Sequence, residues 1–600
     1  MEKSANNKFQ KPLIIKPRLI QVIMKCKLAI LVLSSILFMN AADAQLGGLL
    51  KKKKDKEEKA ATDTAAQAEQ KEPEEKEKKK GGGFFQKVVG KIAKTAGNTM
   101  MGASGMVTTV DNLDDVDVIV SVGTNIYSKD LGLMFTDFLG KEWVNNGDFT
   151  MLQLASKDAY QMYKYDGTIK VNNKELKHAS MGIHTVTENP GSGNKKISFE
   201  KSGTVEGSFE VPLPSKNVKL ISINGQNKNV KADFSKDVIL ELADFSTEPN
   251  SLIRVDVITT QIGIRTLSLV AYVKPAAKVI IPAAAFRNIE NTNNFNFKNC
   301  YLSVSDQLMV KAINPTGKIP TNQMVITGSN DGMWLDVTDS KDNNKGIKFE
   351  SGNASVEKKN AAFAMPLSFA KNVAVSSFYV FGTTQLYDHK TNNWTKTETT
   401  KSIEFPQIPD AVLVATLEEM YKKFTTTLTE VAGSNIMPVT TIPGTHSYEN
   451  TMKFMKGEVN NEGEFLKVYN NLNPVKSFAS VSNSYYGENV LIKDAKADAL
   501  FKVSLACALS WKDKPEMTPY LTIELIGSSN GDFRSFMGNT KYFTIKVAGE
   551  GYELKKNKPV DFEKVFQVDA FNQQFKKALA ELKAKEEASG DYEKIWKIQR

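Results

Sequence analysis

Residues 160–173 read YQMYKYDGTIKVNN, a pattern typical of β structure. Two short runs rich in aromatic and β-branched residues, Tyr160–Tyr165 and Thr168–Val171, stand on either side of Asp166-Gly167. Asp-Gly favours a tight turn because both residues tolerate positive φ angles. Asn172-Asn173 follows the second run directly and supplies a second turn. Closely spaced short strands with such turns predict antiparallel β structure.

The same pattern extends on both sides of this stretch. Further runs predicted as strands are Val116–Val122, Phe149–Leu154, Gly182–Thr187, Lys196–Glu200 and Gly203–Pro212. The segment Ser128–Trp143 differs, because its apolar residues recur every four positions and predict a helix. We therefore expect a β-rich domain with one helix over residues 107–214.

Residues 215–290 and 291–408 continue in β-branched or alternating runs. In Thr266–Val273, for example, alternate apolar residues share one face of the predicted strand. In the second segment, Gln323–Thr327 and Met333–Val337 are predicted as separate strands. Sheets that are apolar on one face pack in pairs, so we interpret the two segments as successive antiparallel β-sandwich-like domains.

The character of the chain changes after Pro409. Ala411–Val431 carries apolar residues at helical spacing, and Gly433 is a plausible C-terminal cap. Strands then return, and a last helix includes Phe571 and Phe575. Residues 409–590 are therefore interpreted as an α+β domain, and residues 591–600 as a charged tail. The expected fold class is a multidomain, mainly β protein with serial sandwich-like domains and an α+β C-terminal domain.

An N-terminal stretch predicts export. Residues 24–44 read MKCKLAILVLSSILFMNAADA, in which two lysines precede the apolar run Leu28–Met39 and Ala42-Asp43-Ala44 has the small-x-small pattern of a cleavage site. This is the pattern of a secretory signal peptide, assigned to residues 1–44, and the run is too short for a mature membrane span. Met24 is a more ordinary start for such a leader than Met1. We expect an extracytoplasmic protein: periplasmic, outer-membrane-associated or secreted.

Charge and cysteine content restrict the partners. Residues 45–600 carry 71 Lys and Arg against 66 Asp and Glu, a net charge of +5. Such a balance does not predict the basic face of a nucleic-acid-binding protein. Cys300 and Cys507 remain after removal of the leader, too few for a disulfide framework. We expect two separate buried thiols, with one long-range disulfide as the alternative.

A charged segment and a cationic helix precede the β-rich part. Residues 51–80 hold eleven Lys and nine Asp or Glu, so residues 45–83 are predicted to be a disordered, solvated tether. Residues 84–106 predict an amphipathic helix. Its apolar face is formed by Phe84, Phe85, Val88, Val89 and Ile92, and its basic face by Lys87, Lys91 and Lys94. This helix suits peripheral contact with an anionic membrane surface, packing on a domain core, or binding in a partner's groove.

Three patterns resemble chemical sites without completing them. His178 and His184 lack the third and fourth ligands of a metal site. Asp331-Gly332 and residues 339–346 have the composition of a calcium loop, but Lys341 occupies a ligand position, so turns are the better interpretation. Residues 527–531 match G-x-S-x-G without the apolar helix that follows a nucleophile elbow. We therefore assign no catalytic, cofactor-binding or metal-binding residue from the sequence.

Two resemblances to known proteins follow from these segments. The order of leader, charged tether and serial β domains resembles secreted and cell-envelope proteins of Bacteroidetes-type bacteria. Within residues 411–550, the helix TLEEMYKKFTTTLTEV, the strand IMPVTTIP and the strands ADALFKVSLAC and PYLTIELIG resemble the periplasmic α/β domain of curli-secretion-channel-like proteins. The first resemblance implies an envelope location, and the second implies a helix packed on a sheet.

The sequence thus predicts a non-catalytic binding or scaffolding protein of a bacterial envelope, without a cofactor. Its expected partner is a protein or glycan of the envelope, with peripheral membrane contact through the amphipathic helix. Two alternatives stay open: a secreted hydrolase acting on polysaccharide or peptide, and a component of an envelope assembly or secretion apparatus.

Overall fold

The structure is a computed structural model, and it describes residues 107–598 except for the gaps given at the end of this sentence: 115, 127–146, 157–161, 181, 190, 192, 250, 262–263, 288, 290–295, 341–345, 393–396, 452–457, 462, 476–486, 512–514, 529–539 and 556–557. The predicted leader, tether and amphipathic helix lie outside these residues, as does the predicted helix Ser128–Trp143. All described residues belong to one compact unit, Val107–Arg600.

Strands dominate this unit, which confirms the mainly β prediction. The first sixteen strands are β1 (Val107–Val110), β2 (Val116–Ile126), β3 (Gly147–Ser156), β4 (Met162–Tyr165), β5 (Thr168–Val171), β6 (Lys174–Glu175), β7 (Lys177–Ser180), β8 (Ile183–Glu188), β9 (Lys195–Lys201), β10 (Thr204–Val211), β11 (Lys219–Ile223), β12 (Val230–Asp233), β13 (Val238–Ala243), β14 (Ser251–Gln261), β15 (Ile264–Val273) and β16 (Lys278–Ile281).

The remaining strands are β17 (Asn296–Val310), β18 (Ile313–Gly317), β19 (Asn322–Asp339), β20 (Ile347–Ser351), β21 (Ala354–Lys358), β22 (Asn372–Thr383), β23 (Gln385–Asn392), β24 (Thr397–Glu404), β25 (Asn435–Ile436), β26 (Val459–Asn460), β27 (Glu464–Val468), β28 (Ala499–Trp511), β29 (Pro515–Gly527), β30 (Thr540–Ala548) and β31 (Tyr552–Glu553). The helices are α1 (Ala283–Phe286), α2 (Asp410–Ala432), α3 (His446–Asn450), α4 (Glu488–Ala495), α5 (Phe562–Phe566), α6 (Val568–Ser589) and α7 (Asp591–Lys597).

The first large sheet, here called the front sheet, has the strand order β1-β4-β3-β2-β19-β17-β14-β15. Three further strands join it, since β12 pairs with β19 and β8 links β3 to β7. Strand β19 is antiparallel to β17 on one side and parallel to β2 and then β12 on the other. The sheet is therefore mixed rather than purely antiparallel, and it combines strands from all three β segments that the sequence analysis separates.

Two small sheets pack on one face of the front sheet. The sheet β18-β10-β9-β5-β6 encloses an apolar core with β2 and β3, including Val120, Leu152 and Phe199. The sheet β11-β13-β16 encloses a second apolar core with β14, β17 and β19, including Val255 and Leu302. The turn at Asp166-Gly167 carries the chain from the front sheet into the first of the small sheets, because β4 and β5 pair with different neighbours.

Polar side chains on this packed face anchor the segment that leads into β11. The Val218 amide donates to Ser329 Oγ at 2.8 Å, and the Leu220 amide donates to Asp331 Oδ2 at 2.8 Å. Asp331-Gly332 therefore lies inside strand β19, which corrects the interpretation of this pair as a turn. Buried polar groups need partners, and here the partner is the backbone of the incoming chain.

The second large sheet has the order β20-β21-β30-β29-β28-β22-β27-β26, with β25 and β31 paired to β22 and β29. Helix α2 confirms the predicted helix Ala411–Val431, and Gly433 ends it with a φ of 73°. Helices α2 and α6 pack together over one face of this sheet, where Phe424, Phe501 and Phe575 belong to one buried core. The hairpin β23–β24 projects from the same part of the chain.

The chain end differs from the expected charged tail. Residues Asp591–Lys597 form helix α7, in which Tyr592, Ile595 and Trp596 are buried. These residues pack in the core that includes β14, β17 and β19, and Trp596 Nε1 donates to the Ala361 carbonyl at 2.9 Å. Spacings of three and four residues place the three side chains on one helical face, which charge counting alone overlooks.

A buried ion pair lies where the two large sheets are joined by the chain end. Lys358 Nζ, on a side chain with 0% exposure, is 3.0 Å from Glu586 Oε2 and donates to the Tyr542 carbonyl at 2.8 Å. Glu586 Oε1 accepts from the Leu367 amide at 2.7 Å. Burial lowers the pKa of Lys358 to about 8, and the Glu586 carboxylate opposes that change. The pair therefore connects β21 and α6 to the turn that precedes Leu367. The same turn carries the Ala361 carbonyl, which accepts the hydrogen bond from Trp596.

Removing one member of this pair should be strongly destabilising. We expect Glu586→Gln or Lys358→Met to lower the free energy of unfolding by about 3–5 kcal/mol, because the remaining group keeps its desolvation cost without its partner. Urea denaturation of each single variant measures this. The double variant Lys358→Met/Glu586→Gln should lose less than the sum of the two single losses; strict additivity would contradict a direct coupling.

Candidate functional site

A cavity of about 140 Å³ lies on the face of the front sheet that is opposite the two small sheets. Residues from four neighbouring strands line it, because alternate residues of a strand point to the same face. Strand β2 contributes Ser121, β19 contributes Asn330, β17 contributes Ser305 and Gln307, and β14 contributes Arg254. Their even spacing across the sheet follows directly from the strand register.

Two glycines form the floor of the cavity. Gly123 and Gly328 are direct partners in the parallel pairing of β2 with β19, and Gln307 is the partner of Gly328 on the other side. Neighbouring glycines leave the sheet surface without side chains at this point. A Cβ atom on Gly328 would lie 2.8 Å from the Asp306 carbonyl oxygen, so a larger residue does not fit there without a backbone shift.

The walls carry hydrogen-bonding groups that the protein does not use. Within the described part of the chain, the side chains of Ser121, Ser305 and Gln307 make no hydrogen bond to protein. Asn330 is partly committed, since its Nδ2 donates to the Thr124 carbonyl at 3.0 Å and leaves its Oδ1 open. Two hydroxyls and an amide can both donate and accept, so the cavity suits a ligand that does the same.

The ionic groups among the described lining residues, Arg254 and Asp256, form an ion pair. Arg254 Nε lies 2.8 Å from Asp256 Oδ2, and Arg254 Nη2 lies 2.9 Å from Asp256 Oδ1, a bidentate contact. Burial raises the pKa of the Asp256 carboxyl, and the adjacent guanidinium opposes that rise. Among the described lining residues, Asp256 is the one carboxylate. The site therefore favours a neutral polar ligand over an ion.

The size of the cavity sets a further limit. A volume of about 140 Å³ is smaller than the pockets of about 300–1,000 Å³ that enclose drug-sized ligands. The lining therefore suits one small polar unit, or one unit of a longer molecule that extends along the sheet.

The sequence predicts a set of membrane- or partner-contacting residues in the amphipathic helix. They lie outside the described residues, and their proposed contacts stay predictions: Phe84, Phe85, Val88, Val89, Ile92, Lys87, Lys91 and Lys94. In the residues that the structure does describe, no helix has the length and apolar character needed to cross a membrane.

The two histidines face each other across the hairpin β7–β8. His178 and His184 are register partners, and their ring centroids are 4.9 Å apart. Burial lowers the pKa of both, that of His184 to about 4, and the two rings and nearby Lys164 disfavour added positive charge. No group of three or more His, Cys, Asp or Glu side chains in the described ranges is arranged to hold a metal ion.

The remaining sequence patterns contribute no site. Cys300 and Cys507 are buried thiols that are not joined in a disulfide, as predicted, and burial raises both thiol pKa values, that of Cys300 to about 12. Gly527 ends β29, and residues 529–531 of the G-x-S-x-G pattern lie outside the described residues, as does most of the loop 339–346.

Sequence reasoning missed every residue of the cavity. Residues 327–332 read TGSNDG, a composition typical of turns, and this masked their position in the middle of a long strand. The signal was present in β17, where Leu302 and Val304 alternate with Ser303 and Ser305. That alternation identifies a strand with one polar face, but it does not show which other strands complete that face.

Comparisons with known proteins do not assign the site. No protein-family model matches the chain, and no curated protein shows significant similarity to it. The chemistry of the cavity is therefore the main guide to its ligand.

The His178–His184 pair generates a pH prediction. The folded-state pKa of His184 is about 4, below the unfolded value of about 6.5, so the unfolded state binds more protons between these values. Stability present above pH 6.5 should be lost progressively as the pH falls towards 4. In the variant His184→Phe, the free energy of unfolding should therefore fall by about 3 kcal/mol less between pH 7 and pH 4. Denaturation at the two pH values measures this difference.

The exposed residue His446 supplies the control for that measurement. His446→Gln should follow the pH profile of the unmodified protein. An unchanged pH dependence in His184→Phe would show that the buried ring does not contribute to acid sensitivity.

Proposed function

We propose that this protein is a non-catalytic binding protein of a bacterial cell envelope, and that the front sheet holds a glycan unit in its cavity. The observation that carries the proposal is the set of uncommitted polar side chains, Ser121, Ser305 and Gln307, around a glycine floor. Sugars present several hydroxyls that both donate and accept hydrogen bonds, which matches these groups.

Electrostatics favours the same ligand class. The Arg254–Asp256 pair is already satisfied internally, so it leaves no net charge to attract a phosphate or a metal ion. Burying a charged ligand beside a neutral wall costs more free energy than burying hydroxyls that find partners. A neutral, hydroxyl-rich molecule is therefore the ligand that the cavity accommodates at least cost.

Binding is supported over hydrolysis. Glycoside hydrolases use two carboxyl groups about 5–9.5 Å apart on either side of the bond that breaks. The described lining holds one carboxylate, Asp256, and both of its oxygens accept from Arg254. The described lining therefore lacks the second carboxyl group that this reaction uses.

The finer architecture is also a proposal. The two small sheets on the front sheet suggest sandwich-like packing, as the sequence predicts, but with a shared large sheet instead of separate sandwiches. The helices α2 and α6 on the second large sheet suggest an α+β C-terminal body. In this arrangement the front sheet presents its polar face for binding, and the C-terminal body supports it.

Export and anchoring complete the proposal. The leader delivers the protein beyond the cytoplasm, and the tether with residues 84–106 holds the binding body near an anionic membrane surface. The support for this step is the sequence pattern of residues 24–44 and 84–101. The proposed partner is thus a glycan of the envelope, and the membrane contact is peripheral.

Pocket variants test the binding proposal. Gln307→Met keeps the length of the side chain and removes the amide, and Ser305→Ala removes the hydroxyl without adding volume. Each should weaken binding of monosaccharide probes by about 3- to 10-fold, because each removes about one hydrogen bond worth 0.5–1.5 kcal/mol. Isothermal titration with glucose, mannose and N-acetylglucosamine measures the affinities.

Gln573 provides the matched control, because it is exposed on α6, away from the front sheet. Gln573→Met should bind like the unmodified protein. Failure of all three sugars to bind, or equal binding by the pocket variants and the control, would refute the proposed ligand site.

Fractionation tests the anchoring step. We expect the variant Phe84→Asp/Val88→Asp/Ile92→Asp to move from the membrane fraction to the soluble fraction, since charged groups on the apolar face oppose insertion into an interface. N-terminal sequencing of the same fractions should find mature protein beginning at Gln45. An unchanged membrane fraction would remove the helix from the proposal, and unprocessed protein inside the cell would remove export.

A further inference from the structure

An exposed aromatic pair lies on the same face of the front sheet as the cavity. Trp334 of β19 is 42% exposed, and its register partner Tyr301 of β17 meets it edge to face with ring centroids 5.3 Å apart. Trp334 has the same strand parity as Asn330 and Gly328, so its side chain projects from the cavity face. The indole of Trp334 and the adjoining Tyr301 ring therefore offer an aromatic surface on the same face as the cavity.

The pair lies along the strand from the cavity, within the span of one elongated ligand. Trp334 follows Asn330 by four residues on the continuous strand β19, a separation of about 13 Å at the usual rise per residue. Between them lie Gly332 and its partner Ser303. The Tyr301 ring covers Gly332 and fills the space that a side chain would take, since a Cβ there would lie 2.4 Å from Tyr301 Cε1.

The intermediate row also carries an unsatisfied polar group. Ser303 is 1% exposed, and its Oγ has no hydrogen-bond partner in the structure. A buried hydroxyl without a partner costs about 1–3 kcal/mol. The row between the cavity and the aromatic pair thus holds a buried hydroxyl without a partner and the Tyr301 ring that covers Gly332.

Resting on the proposed function, we infer that the ligand is a chain of linked sugars: one unit occupies the cavity, and a later unit stacks on Trp334 beside Tyr301. The C–H groups on the face of a pyranose ring carry partial positive charge, and the indole face carries the negative part of the aromatic quadrupole. The sugar hydroxyls at the ring edge stay in water. Affinity therefore depends on chain length.

The test compares chain lengths in the intact mature protein. The probes are glucose, mannose, N-acetylglucosamine and the linear oligomers of each up to six units, measured by isothermal titration. For the oligomer series that binds, the six-unit chain should bind about tenfold more tightly than its monomer, which corresponds to a favourable aromatic contact of about 1.5 kcal/mol. Trp334→Ala should abolish that tenfold gain and leave monomer affinity unchanged.

Two further variants keep the result interpretable. Trp334→Phe retains a ring and should retain part of the gain, and Ile280→Ala, at a residue 50% exposed on the three-stranded sheet, should retain all of it. Full chain-length dependence in Trp334→Ala would overturn the inference while leaving the pocket proposal intact if Gln307→Met still weakens monomer binding. Monomer affinity that is insensitive to Gln307→Met would instead overturn the proposed function on which the inference rests.

Discussion

The alternation of side chains along Asn322–Asp339 is the constraint on which the rest of the structure depends. This strand pairs with β17 over eleven consecutive residues without a shift of register. Its odd-numbered positions, such as Val325 and Leu335, enter the apolar cores under the small sheets, and its even-numbered positions, such as Gly328 and Asn330, face the cavity. A slip of one residue would exchange the two faces, exposing the cores and burying the polar groups.

The chain end holds this arrangement against the C-terminal body. Helix α6 packs on the second large sheet, and helix α7 returns to the core of the front sheet, so residues 568–597 as a segment contact both cores. The Lys358–Glu586 pair lies at that junction, fully enclosed. A buried ion pair adds little to stability by itself, but either charge alone is costly, so the pair disfavours alternative dockings of the chain end. The pair therefore specifies the position of the chain end more than it adds to the free energy of unfolding.

The sequence predicted those elements whose formation depends on interactions between residues close together in the chain. The strands β2 and β3, the helix α2 and its glycine cap were evident because periodicity and turn chemistry act over a few residues. The sequence did not reveal that Gln323–Thr327 and Met333–Val337 belong to one strand, because the polar run between them resembles a loop. Nor did it reveal the parallel pairing of β2 with β19, since that contact joins residues about 200 positions apart. The cavity depends on exactly those long-range pairings, and this is why none of Ser121, Ser305 or Gln307 stood out.

The most direct test of this account is a crystal structure of the protein with a saturating six-unit oligosaccharide from the series that binds. The account predicts sugar density above Gly328, in contact with Ser305 and Gln307 and continuing to the indole of Trp334, with the odd-numbered residues of β19 buried on the opposite face. Density on another sheet or at a strand edge, or a register that places Val325 or Leu335 on the ligand face, would contradict it.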